Sequence, residues 1–415
     1  MSEQPLAEFL EQATRFLDTA AGRAPEATSR LWGEGPDGTE LLAEWSSEEE
    51  ARLVTEARRF KALEYDAGFG WIDGPAVYGG RGLPRSYHEA YTRLRKQFAV
   101  PDLAVMRLGL SMTAPTILAH GTEQVKRAYL PRLHRGDVIA CQLFSEPDAG
   151  SDLASLRTSA VPVKGEGEAG GGWVLRGQKV WTTNAHLSDI GEVLCRTDPR
   201  APKHHGITAF LIDMHAPGVE VRPLRQMTGG ASFNEVFLTD VRVPDDHRLG
   251  EVNEGWQVAI TTLMNERSTT TDIGGSLDVI LDRLVMLARW SGRLSDPAVR
   301  DLVSDTAMHI LAARAGSQRA HEAVAAGQPG PEQSVGKLLW TQNLQRVSRA
   351  VSELLGPRLV ADTGEWGTYA WAKFVLAVPG IRISAGTDEI MRNILAERVL
   401  GLPREKPPTR DQERT

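Results

Sequence analysis

Cysteine is nearly missing from this 415-residue chain, with Cys141 and Cys195 the only two. Two thiols make no disulfide framework, so the fold has to rest on burial, and a reducing compartment suits it. Each thiol is expected to serve as a small buried hydrophobe. Basic residues are not in excess. The formal charge of −7 gives no overall electrostatic reason to bind nucleic acid. Long apolar runs are missing as well, since the stretch around Leu103 to Ala119 is broken by Arg107 and falls short of a membrane span. The opening residues, Met1-Ser2-Glu3-Gln4-Pro5, carry acid early and lack a basic segment followed by an apolar one. A cytoplasmic location is therefore expected, without a secretory signal. His-Glu-x-x-His, Cys-x-x-Cys and Gly-x-Ser-x-Gly spacings are absent, and His204 and His205 lie in a turn-like segment. Neither a metal centre nor a serine hydrolase is expected.

What is present is ordinary for a globular protein: 41% hydrophobic and 24% charged residues, in a length that suits two or three domains. Phe9, Ala13, Phe16 and Leu17 recur at helical spacing, and Glu48 to Leu63 repeats the theme, so residues 1–137 read as an all-helical domain. Its interruptions, residues 70–75 and 79–84, are rich in Gly and Pro and read as turns. The second has the wrong glycine spacing for a nucleotide fingerprint. Over 138–250 the period changes. Trp173 to Trp181, Ile207 to Ile212, Val219 to Val221 and Glu235 to Val243 read as hairpin-linked strands of an antiparallel barrel or sandwich, with Gly165 to Gly172 as a hairpin loop. From 251 to 403 the helical period returns in segments 255–292, 296–326, 332–355 and 387–400, which suggests a four-helix bundle. Ser295-Asp296-Pro297 marks one helix start and Gly327 one helix end. The charged, proline-containing 404–415 reads as a disordered tail. The whole is an α+β multi-domain chain.

Five stretches resemble motifs of the acyl-CoA dehydrogenase family, in that family's order. They are "HGTEQVKRAYLPRLHRGD" (120–137), "CQLFSEPDAGSDLASLRT" (141–158), "GQKVWTTNA" (177–185), "FNEVFLTDVRVP" with "GEVNEGWQVA" (233–259), and "GTDEIMRNILAERVLGLP" (386–403). The resemblance implies FAD as cofactor and α,β-dehydrogenation of an acyl-CoA thioester to a trans-2-enoyl-CoA. A base takes the α-proton while the β-hydrogen leaves as hydride to flavin N5. Such chemistry needs donors at the flavin edge and at the thioester oxygen.

By the same resemblance, Gln142, Phe144, Ser145 and Ser151 match the flavin-binding signature, with Ser151 shared between flavin and CoA ligand. Trp181 would face the isoalloxazine and Thr183 would lie near N5. Thr387 and Glu389 match positions that hold the adenosine-diphosphate portion. The family places its base at one of two positions. One is the residue before Gly-Thr, here Ala385, which has no carboxylate. The other lies in a Leu-x-x-Glu-Arg pattern, here Leu263 to Arg267, so Glu266 is the expected base. Helical spacing puts Ala259, Thr262, Leu263 and Glu266 on one face, beside a rather apolar stripe that would desolvate the carboxylate. A helical Glu more commonly serves a salt bridge, and that alternative stays open. Arg267 and Asn265 match CoA-contacting positions, Asn265 standing where Asp is frequent. The Ala385 amide would still donate to the thioester carbonyl.

Two departures bear on assembly. Where many relatives carry Arg-x-x-Phe-Gly and Gln-x-x-Gly-Gly stretches that reach a neighbouring subunit's FAD, this chain reads "WSGRLSDPAVRD" and "SELLGP". A homodimer or homotetramer is the default expectation, with a heteromer as alternative, and an electron-transferring flavoprotein as electron acceptor. Other readings compatible with the resemblance are an acyl-CoA oxidase, a flavin monooxygenase and a non-catalytic subunit. The acyl group is not specified by these residues.

Overall fold

Phe9, Ala13 and Leu17 fall on one face of the first helix, α1 (Leu6–Ala20), and are fully buried, as the apolar spacing requires. Helix α2 (Ser47–Asp66) starts at a reciprocal cap in which Ser46 and Glu49 satisfy each other's backbone N–H groups. Helices α3 (Arg85–Arg95), α4 (Ala114–His120) and α5 (Glu123–Arg135) follow. Helix α5 opens on Thr122, whose hydroxyl accepts from the Val125 N–H, and closes at Gly136 with φ +83°. Between α2 and α3 the glycine-rich segments are turns. A Cβ on Gly80 would lie 2.1 Å from the Gly74 carbonyl oxygen, so only glycine fits that crossing.

The computed structural model describes residues 4–24, 31–35, 37–39, 41–42, 45–164, 171–271, 274–325 and 332–404, the side chains of 267–271, 274–276, 321, 323–325, 332 and 333 excepted. The expected hairpin loop (but for 171–172), the Gly327 helix end, the tail beyond Arg404 and the Arg267 side chain lie outside the described residues. Described by chain contacts, the molecule has two units, Met1–Ser29 with Leu42–Glu266, and Arg30–Leu41 with Arg267–Thr415.

In the first unit the strands are β1 (Ala140–Leu143), β2 (Ser159–Val163), β3 (Gly172–Thr183), β4 (Ile190–Arg196), β5 (Ile207–Asp213), β6 (Val219–Leu224), β7 (Phe233–Pro244) and β8 (Arg248–Leu249). They form one sheet in the order β6-β7-β3-β2-β4-β5-β8, with β1 also on β4. The sheet ends at β6 and β8, so it is open and does not close into the expected barrel. Nor is it wholly antiparallel, because β1 and the start of β2 follow each other along one side of β4, both parallel to it. Strand β4 is buried on both faces apart from Arg196. On one face Ile190 and Leu194 join a core with Ile117, Leu211, Val258 and Ala259. On the other, Val193 and Cys195 pack with Cys141, Phe210 and Val236. Both cysteines are free and buried, and burial pushes each thiol up to about 12. They are inert packing groups. Helix α6 (Gly255–Thr271) carries Val258, Ala259 and Thr262 into the first of these cores.

The second unit is helical: α7 (Gly274–Trp290), α8 (Pro297–Ala325), α9 (Glu332–Leu355), α10 (Ala370–Ile383) and α11 (Asp388–Ile394). The Asp296 carboxylate caps α8 by accepting from the Ala298 N–H at 3.0 Å. The sequence expectation of four helices differs here in two ways. Residues 255–292 hold two helices, α6 and α7, and α10 was not expected, because Pro379 and Gly380 inside it disguise its period. The segment 30–41 belongs to this unit, where Trp32 stacks on Trp290 with ring centroids 4.7 Å apart. No helix among the described residues is long and apolar enough to cross a membrane.

Candidate flavin and acyl-CoA site

The signature segment leaves the sheet at the end of β1 and is locked to β3 behind it. Lys179 points inward from β3 with no solvent exposure, and its ammonium donates to the Glu146 carboxylate at 2.8 Å and the Phe144 carbonyl at 3.1 Å. Glu146 also accepts from the Arg157 N–H at 2.6 Å and the Thr158 N–H at 2.9 Å. Burial works against its charge, yet Lys179 and these donors together hold the Glu146 carboxyl below the usual carboxylate range. The Val180 N–H completes the dock by donating to the Ser145 carbonyl at 2.9 Å. Gln142 and Ser145 are half-buried, and Ser151 is exposed in the following turn. Phe144 differs from the others in that its ring is buried in the core, leaving only its backbone to face a ligand.

One step further along β3, the ladder to β7 slips between Lys179 and Thr182. Such a bulge frees a residue from pairing and re-aims its side chain. Two residues fall in the slip: Val180, whose N–H goes to Ser145, and Trp181, left-handed at φ +61° and 61% exposed. A bulky residue in that backbone region costs of order 1–3 kcal/mol, and strain of this kind persists where the surroundings over-determine it. An outward indole, with half-buried Thr183 two residues on, is the surface a planar aromatic ring requires. The residues present in the first unit therefore fit a flavin.

Helix α6 places the expected base on the same unit. Ala259 and Thr262 are fully buried and Leu263 packs on the core, so Glu266, one turn after Thr262, is half-buried at the edge of that face, next to half-buried Asn265. In the second unit, Ala385 is left-handed at φ +54° and Gly386 follows at φ +85°. Thr387 caps α11, accepting from the Ile390 N–H at 3.2 Å. Glu389 is exposed, with its carboxylate 3.5 Å from Arg392. Behind this turn the buried Asp388 accepts from Thr341 at 2.7 Å and Arg382 at 2.9 Å.

Sequence reasoning missed Lys179, Glu146 and Asp388, which position these segments. Lys179 had a visible signal, since it stands at an inward position of an alternating strand where a charge demands a buried partner. The described residues hold no cluster of metal-ligating side chains.

Models of the acyl-CoA dehydrogenase N-terminal, middle and C-terminal domains match residues 39–137, 141–241 and 253–400. The chain is 38% identical to acyl-CoA dehydrogenase IpdE1 of Mycobacterium tuberculosis, over 82% of this chain and 86% of that protein. It is 45% identical to acyl-CoA dehydrogenase FadE34 of the same organism over 70% of this chain, but spans only 39% of that relative's length. Among solved structures it is similar to the Tcur3481-Tcur3483 steroid ACAD, with a TM-score of 0.73 and 25% identity over 98% of this chain and 100% of that one. The ChsE4-ChsE5 complex from Mycobacterium tuberculosis gives a TM-score of 0.70 at 26% identity, again covering 98% and 100%. The chain belongs to the acyl-CoA dehydrogenase family. It is accordingly an oxidoreductase, and the family's cofactor is FAD.

Proposed function

We propose that the chain dehydrogenates an acyl-CoA thioester to its trans-2-enoyl-CoA, with Glu266 removing the α-proton. The observation that carries this is the pairing of a missing carboxylate at Ala385 with a half-buried one at Glu266, on the face of α6 that packs onto β4. Bound FAD supplies the hydride acceptor. By the family resemblance, Trp181 would offer the ring a face, the Thr183 hydroxyl would serve its N5 edge, and Ser145 would serve its pyrimidine side. Gln142 and Ser151 line the same segment. Ala385 of the second unit is left-handed, and by the family resemblance its backbone amide would donate to a thioester oxygen, a role that would account for the strain. By the same resemblance, Arg267 and Asn265 would contact the CoA moiety, and Thr387 and Glu389 would hold the adenosine-diphosphate portion.

The relatives guide substrate and assembly. A steroid ACAD and a two-component complex among the similar structures support a bulky polycyclic acyl-CoA as substrate and a second, non-identical subunit as partner. Electrons then pass to an electron-transferring flavoprotein. The test is anaerobic titration of the FAD-loaded protein with straight-chain, branched and steroid-side-chain CoA thioesters, alone and with the partner subunit. Bleaching of the flavin with formation of the enoyl thioester supports the reading. FAD-loaded protein that no thioester bleaches in either state contradicts it.

A further inference from the structure

Up to Cys195, strand β4 carries one charged residue, Glu192, and its side chain has no solvent exposure. It lies on the face with Ile190 and Leu194, paired with Leu211 on β5 and with Gln142 on β1. Its Oε1 accepts from the Thr262 hydroxyl at 2.6 Å. Thr262 Oγ1 is 2.9 Å from Thr116 Oγ1, and Thr116 reaches the Met112 carbonyl at 2.8 Å. Oε2 of Glu192 has no hydrogen-bond partner among the described residues. A buried carboxyl group with one partner is costly, and an apolar side chain would fill a core strand without that cost. What the carboxyl achieves is a directional tie between three elements: the strand beside Gln142, helix α4 and helix α6.

We propose that Glu192 is a positioning residue for the dehydrogenation: by holding Thr262 it fixes the rotation of the α6 turn that ends at Glu266, relative to the strand that carries Gln142. The inference rests on Glu266 being the base. Thr262 and Glu266 are four residues apart and so share one helix face, and a small roll of α6 about its axis would misdirect the carboxylate. Burial, opposed by the Thr262 hydrogen bond, pushes Glu192 up to about 8, so at neutral pH it serves as an uncharged acid. Its neighbours are Thr262 of α6 by hydrogen bond, Gln142 of β1 and Leu211 of β5 across the ladder, and Thr116 of α4 one hydrogen bond beyond Thr262. None of these is ionisable; the titratable groups on the two helices include His120 of α4, whose Nε2 lies 2.8 Å from Thr261 Oγ1, and Glu266 one turn further along α6.

The test compares flavin reduction at neutral pH in FAD-loaded Glu192→Leu, Glu192→Gln, Thr262→Val and Glu266→Gln, using whichever thioester bleaches the wild type. Expected is a fall of tenfold or more in the reduction rate for Glu192→Leu and Thr262→Val, with FAD content and thioester KM within threefold of wild type. The Glu192→Gln variant should recover most of the rate, and the Glu192→Leu/Thr262→Val pair should lose no more than either alone. If Glu192→Leu fails to fold, Thr262→Val carries the comparison. A rate within twofold of wild type in Thr262→Val and any folded Glu192→Leu, while Glu266→Gln is impaired, overturns the positioning role and leaves the base intact. An unimpaired Glu266→Gln overturns the base and the inference with it.

Discussion

At the scale of single residues, the site is marked by side chains placed where packing alone would not place them. Trp181 is the clearest, an indole turned outward on a left-handed backbone. Because the indole is exposed apart from an edge contact with Phe233, Trp181→Ala should change apoprotein stability by no more than about 1 kcal/mol. FAD binding should weaken tenfold or more in a fluorescence titration. A large drop in apoprotein Tm with unchanged FAD affinity would mean that the indole is structural. Glu192 allows a pH prediction. An unfolded glutamate ionises near pH ~4.3, and the folded one is pushed up to about 8. A folded-state value above the unfolded one means that stability is complete below the unfolded value and is lost as pH rises toward the folded one. Each pH unit inside that window costs about 1.4 kcal/mol. Since Glu192→Gln has no such proton to hold, its Tm relative to wild type should climb between about pH 5 and pH 8. A constant difference would show that the carboxyl titrates normally.

These residues were unequally legible. Glu266 is singled out from sequence as the proposed base because Ala385 lacks a carboxylate and Leu263-x-x-Glu266-Arg267 matches the alternative motif, and the Glu266→Gln measurement below is its test. Glu192 is not singled out. Inside a short strand buried on both faces it has no period to stand out from, and its meaning depends on Thr262, 70 residues later.

At the scale of elements, long alternating strands and capped helices were readable and the doubly buried ones were not. Strands β3, β5, β6 and β7 alternate or carry β-branched runs and were expected close to their observed bounds. Strands β1 and β4 pack on both faces, so alternation disappears, and with it the sign that β1 pairs parallel to β4. Of the barrel or sandwich expected, closure is what is missing, because closure depends on which strands neighbour each other and not on where they start. The Lys179–Glu146 pair ties the signature segment to β3. Removing one partner of a buried pair leaves an uncompensated charge and costs about 3–5 kcal/mol. Lys179→Met should therefore lower stability by that amount in urea melts and release FAD during gel filtration. A variant of native stability with full FAD would contradict the docking role.

At the scale of the whole molecule, three matched domains and a 38%-identical relative of nearly the same extent set the class of chemistry. The choice of acyl group and the proposed subunit partner depend on surfaces that single-chain periodicity does not describe. If an electron-transferring flavoprotein is the acceptor, substrate-reduced enzyme should be reoxidised slowly by air and rapidly by that protein in stopped-flow mixing. Rapid reaction with air would instead mark an oxidase or monooxygenase.

The most direct measurement is the single-turnover rate of flavin reduction in Glu266→Gln, taken anaerobically with a thioester that bleaches the wild type. Loss of a positioned general base should slow reduction by roughly a hundred- to ten-thousandfold, while the variant keeps its FAD and its affinity for the thioester. Reduction at the wild-type rate would show that the α-proton leaves to another group.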